Sequence, residues 1–263
     1  MKRFLFPVLI MLVFFGCKKN DEISFPAEID KVIADLTKSF DTLNNEMAQA
    51  ALTTSLNVSD TAEIRSLLAG MYSRTSMATQ FIFVSDEKIM QLIEPPQYYQ
   101  FQGTDISDQA HVIKVFDAKI PVLSQTFTLV EGYTAAVVIH PVILNSEVKG
   151  AMDAVFIPKE ILGRIIMPYV SGQTFEIWVM ELGGNVLFDQ DEEEIGLNVI
   201  TDPLYQDFPE LIAAASLINE EDSGETTYSF FQTGTNKKVT KKTYWKTVKI
   251  LDNSWKIIWV KPE

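Results

Sequence analysis

Apolar residues recur at every third or fourth position in the first part of the chain. The stripe consists of Ile29, Ile33, Leu36, Phe40, Leu43, Met47 and Ala50, and the positions between them are largely polar. Because this spacing matches 3.6 residues per turn, it predicts a long amphipathic helix. Pro26 is expected in its first turn, with Ser24 as a candidate cap. The pattern leaves open whether the stripe packs against the chain's own body or against a second copy.

A second helix and then a series of strands are expected to follow. Asp60 and Glu63 have the spacing of a capping box, and a group of apolar residues after them falls on one helix face. That group is Ile64, Leu67, Leu68 and Met71. From about Thr79 the period becomes strand-like, and strands are predicted at 81–84, 126–130, 133–142 and 148–157. A short helix is expected after Pro158.

The same order of elements recurs in the second half of the chain. Strands are predicted at 175–180 and 185–188, a helix around 204–217, and strands at 226–231, 243–250 and 255–260. The glycine pair Gly183-Gly184 marks a hairpin turn between the first two of these strands. A strand, a hairpin, a helix and three antiparallel strands form an α+β arrangement, and its appearance twice predicts two similar domains.

The N-terminus has the pattern of an export signal. Lys2 and Arg3 precede an apolar run of 12 residues, which is shorter than the roughly 20 that a membrane-spanning helix needs. The run ends at Gly16-Cys17, which resembles a bacterial lipobox, although Phe14 stands where Leu is usual. This resemblance implies a signal peptide at 1–16, a lipid on Cys17 and a tether at 17–25. The alternative is an uncleaved membrane anchor with an incidental cysteine.

The composition narrows the classes of function. A formal net charge of −13 argues against nucleic acid as a partner, because phosphate binding needs clustered Lys and Arg. Four lysines near the end, Lys237, Lys238, Lys241 and Lys242, are expected to form a solvated hairpin edge. Cys17 is the single cysteine, so the chain has neither an internal disulfide nor a cysteine-based zinc site.

Several local patterns occur in an order that resembles the double Cache sensors. They are a Gly-x-Asp-Ile-Ser turn at 103–107, a strand pair at 131–142 and 149–158, and glycine and Asp-Pro turns at 183–203 and 224–245. The resemblance implies an α+β fold in which a long N-terminal helix is followed by two PAS-like domains with antiparallel sheets. It places the N-terminal helices at 26–75, a membrane-distal domain at 76–165 and a membrane-proximal domain at 166–263.

The sequence contains no recognisable arrangement of catalytic or metal-binding residues. The two histidines, His111 and His140, are far apart, and neither lies in a recognisable triad or metal motif. His140 is expected to be structural or to line a pocket. The densest carboxylate run, from Asp189 to Glu194, lacks the features of a calcium loop, so we expect a solvated turn there. No catalytic residue, metal or cofactor is expected.

The resemblance places a ligand in the membrane-distal domain. The candidate residues are Tyr98, Tyr99, Tyr133 and Asp153, because pockets combine aromatic walls with a few polar groups. Asp153 lies on the strand that carries a ligand-contacting Asp in the family, two residues earlier but on the same face. No arginine occurs between Phe81 and Phe156 to hold a carboxylate, and Lys114 and Lys119 are the available cations. For the tyrosines, ordinary packing is the alternative.

These observations predict an extracytoplasmic, small-molecule-binding, sensor-like lipoprotein of the cell envelope. The chain ends just after its last strand at Glu263, so no signalling output of its own is expected. Its expected partners are a small ligand, the membrane through the lipid on Cys17, and a membrane signalling or transport protein. The alternative is a structural or interaction lipoprotein without a pocket, which would use the stripe of the first helix as its working surface.

Overall fold

The computed structural model describes residues 23–235 and 237–263. The predicted signal peptide and Cys17 lie outside the described residues. Within those ranges, no helix combines the length and the apolar character needed to cross a bilayer.

Two helices open the described chain. Helix α1, Ala27–Leu56, has Pro26 at its N-cap position, and no side chain caps it, so the predicted Ser24 cap is wrong. Helix α2, Thr61–Arg74, begins as predicted: the Asp60 carboxylate accepts a hydrogen bond of 2.9 Å from the Glu63 N–H. This bond satisfies one of the free N–H groups of the first turn.

The first sheet is antiparallel and six-stranded. Its strands are β1 (Gln80–Ser85), β2 (Met90–Glu94), β3 (Val122–Leu123), β4 (Phe127–Thr128), β5 (Thr134–Leu144) and β6 (Glu147–Phe156). They are ordered β2-β1-β6-β5-β3, and β4 pairs with β5. Strands β6 and β1 approach each other closely at Gly150. A Cβ atom at this position would lie only 2.6 Å from the Val84 carbonyl oxygen. A 3-10 helix at Pro96–Phe101 and helix α3, Ala110–Ala118, lie between β2 and β3.

Helix α4, Pro158–Val170, connects the first sheet to the second. The second sheet contains β7 (Glu176–Glu181), β8 (Val186–Phe188), β9 (Ser223–Phe231), β10 (Lys238–Ile250) and β11 (Asn253–Pro262), in the order β8-β7-β11-β10-β9. Two 3-10 turns, Glu192–Glu194 and Pro203–Tyr205, and helix α5, Pro209–Glu220, lie between β8 and β9. The predicted α+β fold, a long helix followed by two antiparallel sheets, is confirmed.

The stripe of α1 packs against the chain's own two sheets. Its residues are buried as predicted, except that Val32 is fully buried where Ile33 was expected and Ile33 is only partly covered. Phe40 lies at the junction of the two sheets: its ring centroid is 5.4 Å from that of Phe156 on β6 and 5.3 Å from that of Trp255 on β11. The open question about the stripe is therefore settled, and the stripe is not available as a surface for a partner.

Polar contacts fix the position of α1 along the sheets. Asn44 Oδ1 lies 2.8 Å from His140 Nε2 in the first sheet, and Lys246 Nζ donates to Asp30 Oδ1 at 2.7 Å in the second. Burial lowers the pKa of His140 to about 4, so its ring is neutral near pH 7. The predicted structural role of His140 is consistent with this contact.

Because α1 covers one face of each sheet, the opposite faces support separate cores. The opposite face of the first sheet packs under α3, where Ile82, Val137 and Val155 of the sheet share a core with Val112 of the helix. The opposite face of the second packs under α5, where Met180, Trp245 and Ile258 of the sheet share a core with Leu211 of the helix. An enclosed cavity lies on the opposite face of each sheet.

The two sheets also meet directly at their edges. The Leu123 N–H donates to Asp252 Oδ1 at 2.8 Å, and the same carboxylate forms an ion pair with Lys114. Farther along, the Thr126 hydroxyl donates to Glu181 Oε1 at 2.6 Å. The short segment from β3 to β4 therefore links the first domain to turns of the second.

The sequence pattern missed four elements of the first domain: β2, the 3-10 helix, α3 and the short strand β3. In addition, α5 begins at Pro209, later than predicted, because Pro203 starts a separate 3-10 turn.

Prediction on the junction. Phe40→Ala should lower the free energy of unfolding by about 3–5 kcal/mol, because it leaves a cavity beside both sheets. Leu52→Ala, at a position of α1 that is 60% exposed, is the matched control and should change it by less than about 0.5 kcal/mol. Urea unfolding measures both. Equal effects of the two substitutions would contradict the bridging role of Phe40.

Candidate functional site

Asp153 lies on the face of the first sheet that α1 does not cover. On β6, Ala151 and Val155 share its face, whereas Met152, Ala154 and Phe156 face α1, as the alternation predicts. Asp153 is 2% exposed, and its neighbours across the sheet are Ile82 and Ile139. Its Oδ1 has no hydrogen-bond partner among the described residues. An uncompensated carboxylate in apolar surroundings is unfavourable unless something pairs with it.

A small cavity of about 20 Å³ lies beside this carboxylate. Its wall also includes Glu131, whose Oε1 is buried and likewise has no partner among the described residues. The remaining lining is mostly apolar, with Ile82, Met90, Val137 and Val155 among it. The volume suits about one water molecule, so an organic ligand requires the walls to move.

Burial shifts the pKa of two groups around the cavity. Desolvation raises the pKa of the Asp153 carboxyl well above its usual range. Desolvation lowers the pKa of His111, which also lines the cavity, to about 4, so its ring is neutral near pH 7. The cavity therefore has no positive charge to balance its carboxylates, and Asp153 retains a proton to a higher pH than an exposed aspartate.

Tyr133 lies beside this region and is held by buried polar groups. The Gln80 side-chain amide donates to the Tyr133 hydroxyl at 2.8 Å, and Thr79 Oγ1 lies 3.4 Å from the same hydroxyl. Burial raises the pKa of Tyr133, and the hydrogen bonds to Thr79 and Gln80 oppose this by lowering it. Tyr98 and Tyr133 both pack against the core under α3. Two of the three predicted tyrosines are therefore near Asp153, although neither lines its cavity.

Tyr99 lies in a different cluster, away from the cavity. Its hydroxyl donates to Glu94 Oε1 at 2.5 Å, and the Arg65 guanidinium stacks 4.5 Å from its ring centroid. Arg65 also donates to Glu94 at 3.0 Å and to Gln102 at 2.7 Å. The hydrogen bond to Glu94 raises the pKa of Tyr99. This cluster joins α2 to β2, and in this structure Tyr99 packs instead of facing the pocket.

The two lysines considered as substitutes for an arginine are also elsewhere. Lys114 pairs with Asp252 at the contact between the sheets, and Lys119 donates to the Ser146 carbonyl at 2.8 Å. Neither lines the cavity of Asp153. A ligand carboxylate therefore has no cationic partner there.

A larger cleft lies next to the cavity, between the two domains. It has a volume of about 560 Å³, within the range of small-molecule sites, and it shares Gln109, His111 and Phe127 with the cavity. The rings of His111 and Phe127 are 5.0 Å apart. This pair of side chains separates the open cleft from the enclosed carboxylates.

The acidic run of the second domain is only partly a solvated turn. Glu192 and Glu193 are exposed as expected, but Asp189 and Glu194 line a cavity on the face of the second sheet that α5 covers. Lys241, expected at a solvated edge, is 5% exposed and lines the same cavity. Among the described residues, no group of His, Cys, Asp and Glu has the geometry of a metal site.

Comparison with known proteins agrees with this architecture. Residues 38–158 match the family described as HK/GC/Chemotaxis protein-like, sensor domain. The chain has the double Cache sensor fold. The predicted resemblance is thereby confirmed.

Similar solved structures include an extracellular receptor and ligand-binding domains of chemoreceptors. The chain is similar to an extracellular ligand-binding receptor from Desulfohalobium retbaense, with a TM-score of 0.76, 23% identity and 90% coverage of this chain, but it spans 40% of that receptor chain. It is also similar to the Pseudomonas aeruginosa amino acid chemoreceptor PctB in complex with L-Arg, with a TM-score of 0.64, 12% identity and coverage of 90% of this chain and 86% of that one.

The Pseudomonas fluorescens chemoreceptor CtaA in complex with L-isoleucine gives a TM-score of 0.64 at 12% identity, with 89% of each chain covered. At such identities the double Cache sensor fold is the shared property. A search of curated proteins finds no match.

Sequence reasoning missed Gln80, His111 and Glu131 at this site. Gln80 opens strand β1, and its own Oε1 is buried without a partner among the described residues. Glu131 lies in the turn before β5. A polar residue within an apolar strand, as at Gln80, was the one available signal.

Prediction on Asp153 and pH. Its pKa is raised in the folded chain, so protonated Asp153 contributes stability that is lost as pH rises through that pKa. Asp153→Asn should therefore gain stability relative to the native chain as pH rises from 5 to 8, because the amide acquires no buried charge.

Urea unfolding at several pH values measures this difference. Asp41→Asn, at an exposed position of α1, is the control and should give a profile parallel to that of the native chain. A parallel profile for Asp153→Asn as well would show that the Asp153 carboxyl is solvated or paired in solution.

Proposed function

We propose that this chain is an extracytoplasmic, sensor-like protein that binds a small organic cation in its membrane-distal domain. One observation carries the proposal: the cavity under α3 contains two buried carboxylate oxygens, from Asp153 and Glu131, that no protein group satisfies among the described residues. Unsatisfied buried acceptors are rare in folded proteins, and a ligand with hydrogen-bond donors would relieve them.

The charges around the cavity favour a cation over an acid. Glu131 and, once ionised, Asp153 supply negative charge, and His111 is neutral. Lys119 lies elsewhere, and Lys114, which lines the adjoining cleft, is already paired with Asp252. A protonated amine, with or without hydroxyl groups, offers both the charge and the N–H donors that these oxygens lack. Binding would ionise Asp153, because an adjacent cation lowers the pKa of a carboxyl.

The route to the cavity would run through the cleft between the domains. His111 and Phe127 line both spaces, so displacement of these two side chains would join about 20 Å³ of cavity to about 560 Å³ of cleft. The joined space is in the range that encloses small molecules. Tyr133 and Tyr98 pack against the same core without lining either space, and Tyr99 would keep its packing role beside Arg65.

The N-terminal sequence supports a location in the cell envelope. A basic start, a short apolar run and Gly16-Cys17 favour export, followed by lipid attachment at Cys17. A lipid-anchored sensor domain would report ligand binding through a membrane signalling or transport partner.

Prediction on ligand binding. A thermal-shift screen of amines, amino acids and organic acids should give positive shifts with amines, since a ligand that binds only the folded state raises its stability by mass action. Asp153→Asn should weaken binding of the best amine at least tenfold by calorimetry, and Asp41→Asn should not. Hits confined to organic acids, or undiminished binding by Asp153→Asn, would contradict the assignment of the site.

Prediction on anchoring. Cys17→Ser should release the protein from membranes or stop its processing, because the lipid would have no attachment point. Fractionation of cells expressing each form, with an immunoblot for size, measures this. Membrane retention at unchanged size would contradict lipidation and favour an uncleaved anchor.

A further inference from the structure

The membrane-proximal domain contains a second enclosed polar cluster, on the face of the sheet covered by α5. A cavity of about 20 Å³ lies at its centre. Six lining residues matter here: Glu176, Trp178, Asp189, Glu194, Tyr228 and Lys241. The rest of the lining is apolar and includes Leu211 and Phe230, so the charged groups face one another with little solvent between them.

The negative charge of this cluster exceeds its positive charge. Lys241 is 5% exposed, and its ammonium pairs with Glu176 Oε2 at 3.0 Å. Asp189 Oδ1 accepts from the Asp191 N–H at 2.8 Å, and Glu194 Oε2 accepts from the Tyr205 hydroxyl at 3.0 Å. Neither Asp189 nor Glu194 has a cationic partner of its own among the described residues.

The titratable side chains around the cluster come from several strands and turns. Strand β7 supplies Glu176, the turn after β8 supplies Asp189, and the 3-10 turn at Glu192–Glu194 supplies Glu194 with Asp191 nearby. Strand β9 supplies Tyr228, β10 supplies Lys241, and the turn at Pro203–Tyr205 supplies Tyr205, with Asp202 at its start. Helix α5 contributes Leu211 to the lining, and its Glu210 instead accepts from the Ser229 N–H.

We infer that this cluster is a proton-binding site, which takes up one proton on the Glu194–Asp189 carboxylate pair when the surroundings become mildly acidic. Three carboxylates around one ammonium leave an excess of negative charge in an enclosed, largely apolar space. One proton shared by the pair removes part of that excess without a change of fold. The site is independent of the ligand proposed for the distal domain.

The electrostatic environment supports this inference. Burial raises the pKa of Glu194 to about 6, and burial followed by the charge of Glu194 raises that of Asp189 well above its usual range. Because the two carboxyls interact, the proton is assigned to the pair and not to one of them. The stability due to the bound proton is complete below the unfolded pKa, near 4.5, and is lost as pH rises through about 6.

The Glu194–Asp189 pair lies next to the junction between the domains, so its protonation state affects that junction. Ile195 and Gly196 directly follow Glu194 and line a second cleft of about 530 Å³, together with Thr128 and Tyr133 of the distal domain. Glu192, two residues before Glu194, lies 3.9 Å from Lys159 at the start of α4. Loss of the proton would increase repulsion within the loop that forms this wall.

The test compares Glu194→Gln with Glu193→Gln, an exposed position in the same 3-10 turn. Urea unfolding of the whole chain from pH 4.5 to pH 7.5 gives the folding equilibrium constant of each form. Relative to Glu194→Gln, the native chain and Glu193→Gln should both lose about tenfold or more in that constant across this range. Parallel profiles for all three forms would overturn the proposal.

A second measurement does not depend on how the variants fold. Carbon-13 NMR of side-chain carboxyls in the native chain should show a glutamate that titrates near pH 6 and is missing from the spectrum of Glu194→Gln. If every glutamate carboxyl titrates below pH 5, the pair does not bind a proton in the mildly acidic range, and the inference is wrong.

Discussion

The structure depends on one helix that serves two sheets at once. The apolar stripe of α1 covers one face of each sheet, and Phe40 contacts an aromatic ring from both. A helix of 30 residues is about 45 Å long, enough to span two small domains side by side. The domains therefore share a core, and their relative position is set by burial of apolar surface as well as by the smaller polar contacts at Asp252 and Glu181.

This arrangement determines where chemistry is available. One face of each sheet is packed on α1, and each opposite face has an enclosed cavity with buried carboxylates. In the distal domain, Asp153 and Glu131 each have an oxygen that no described residue satisfies, and no described cation lines their cavity, which favours a cationic ligand. In the proximal domain, Lys241 balances one of three carboxylates, which favours a proton. The two sites thus differ in how far positive charge from the protein balances their carboxylates.

Much of this could be predicted from periodicity, because helices and strands with one buried face repeat apolar residues at fixed intervals. The stripe of α1, the long strands β5 and β6 and the burial of Asp153 follow from such intervals. The partners of Asp153 could not be predicted, since Glu131 and His111 come from a turn and from a helix whose pattern was not recognised. Likewise Asp189 and Glu194 lie in a run that looks solvated, and only contact with Tyr205 and Lys241 shows that they turn inward.

The central claim is that Asp153 is held without a partner until a cation reaches it. The most direct test is the proton exchanged on binding, measured by isothermal titration calorimetry at pH 6 with the amine that gives the largest thermal shift. Buffers of different ionisation enthalpy report that exchange. Because Asp153 has a raised pKa in the free chain, a net release of protons on binding is expected. Binding enthalpies that are the same in every buffer would contradict the account.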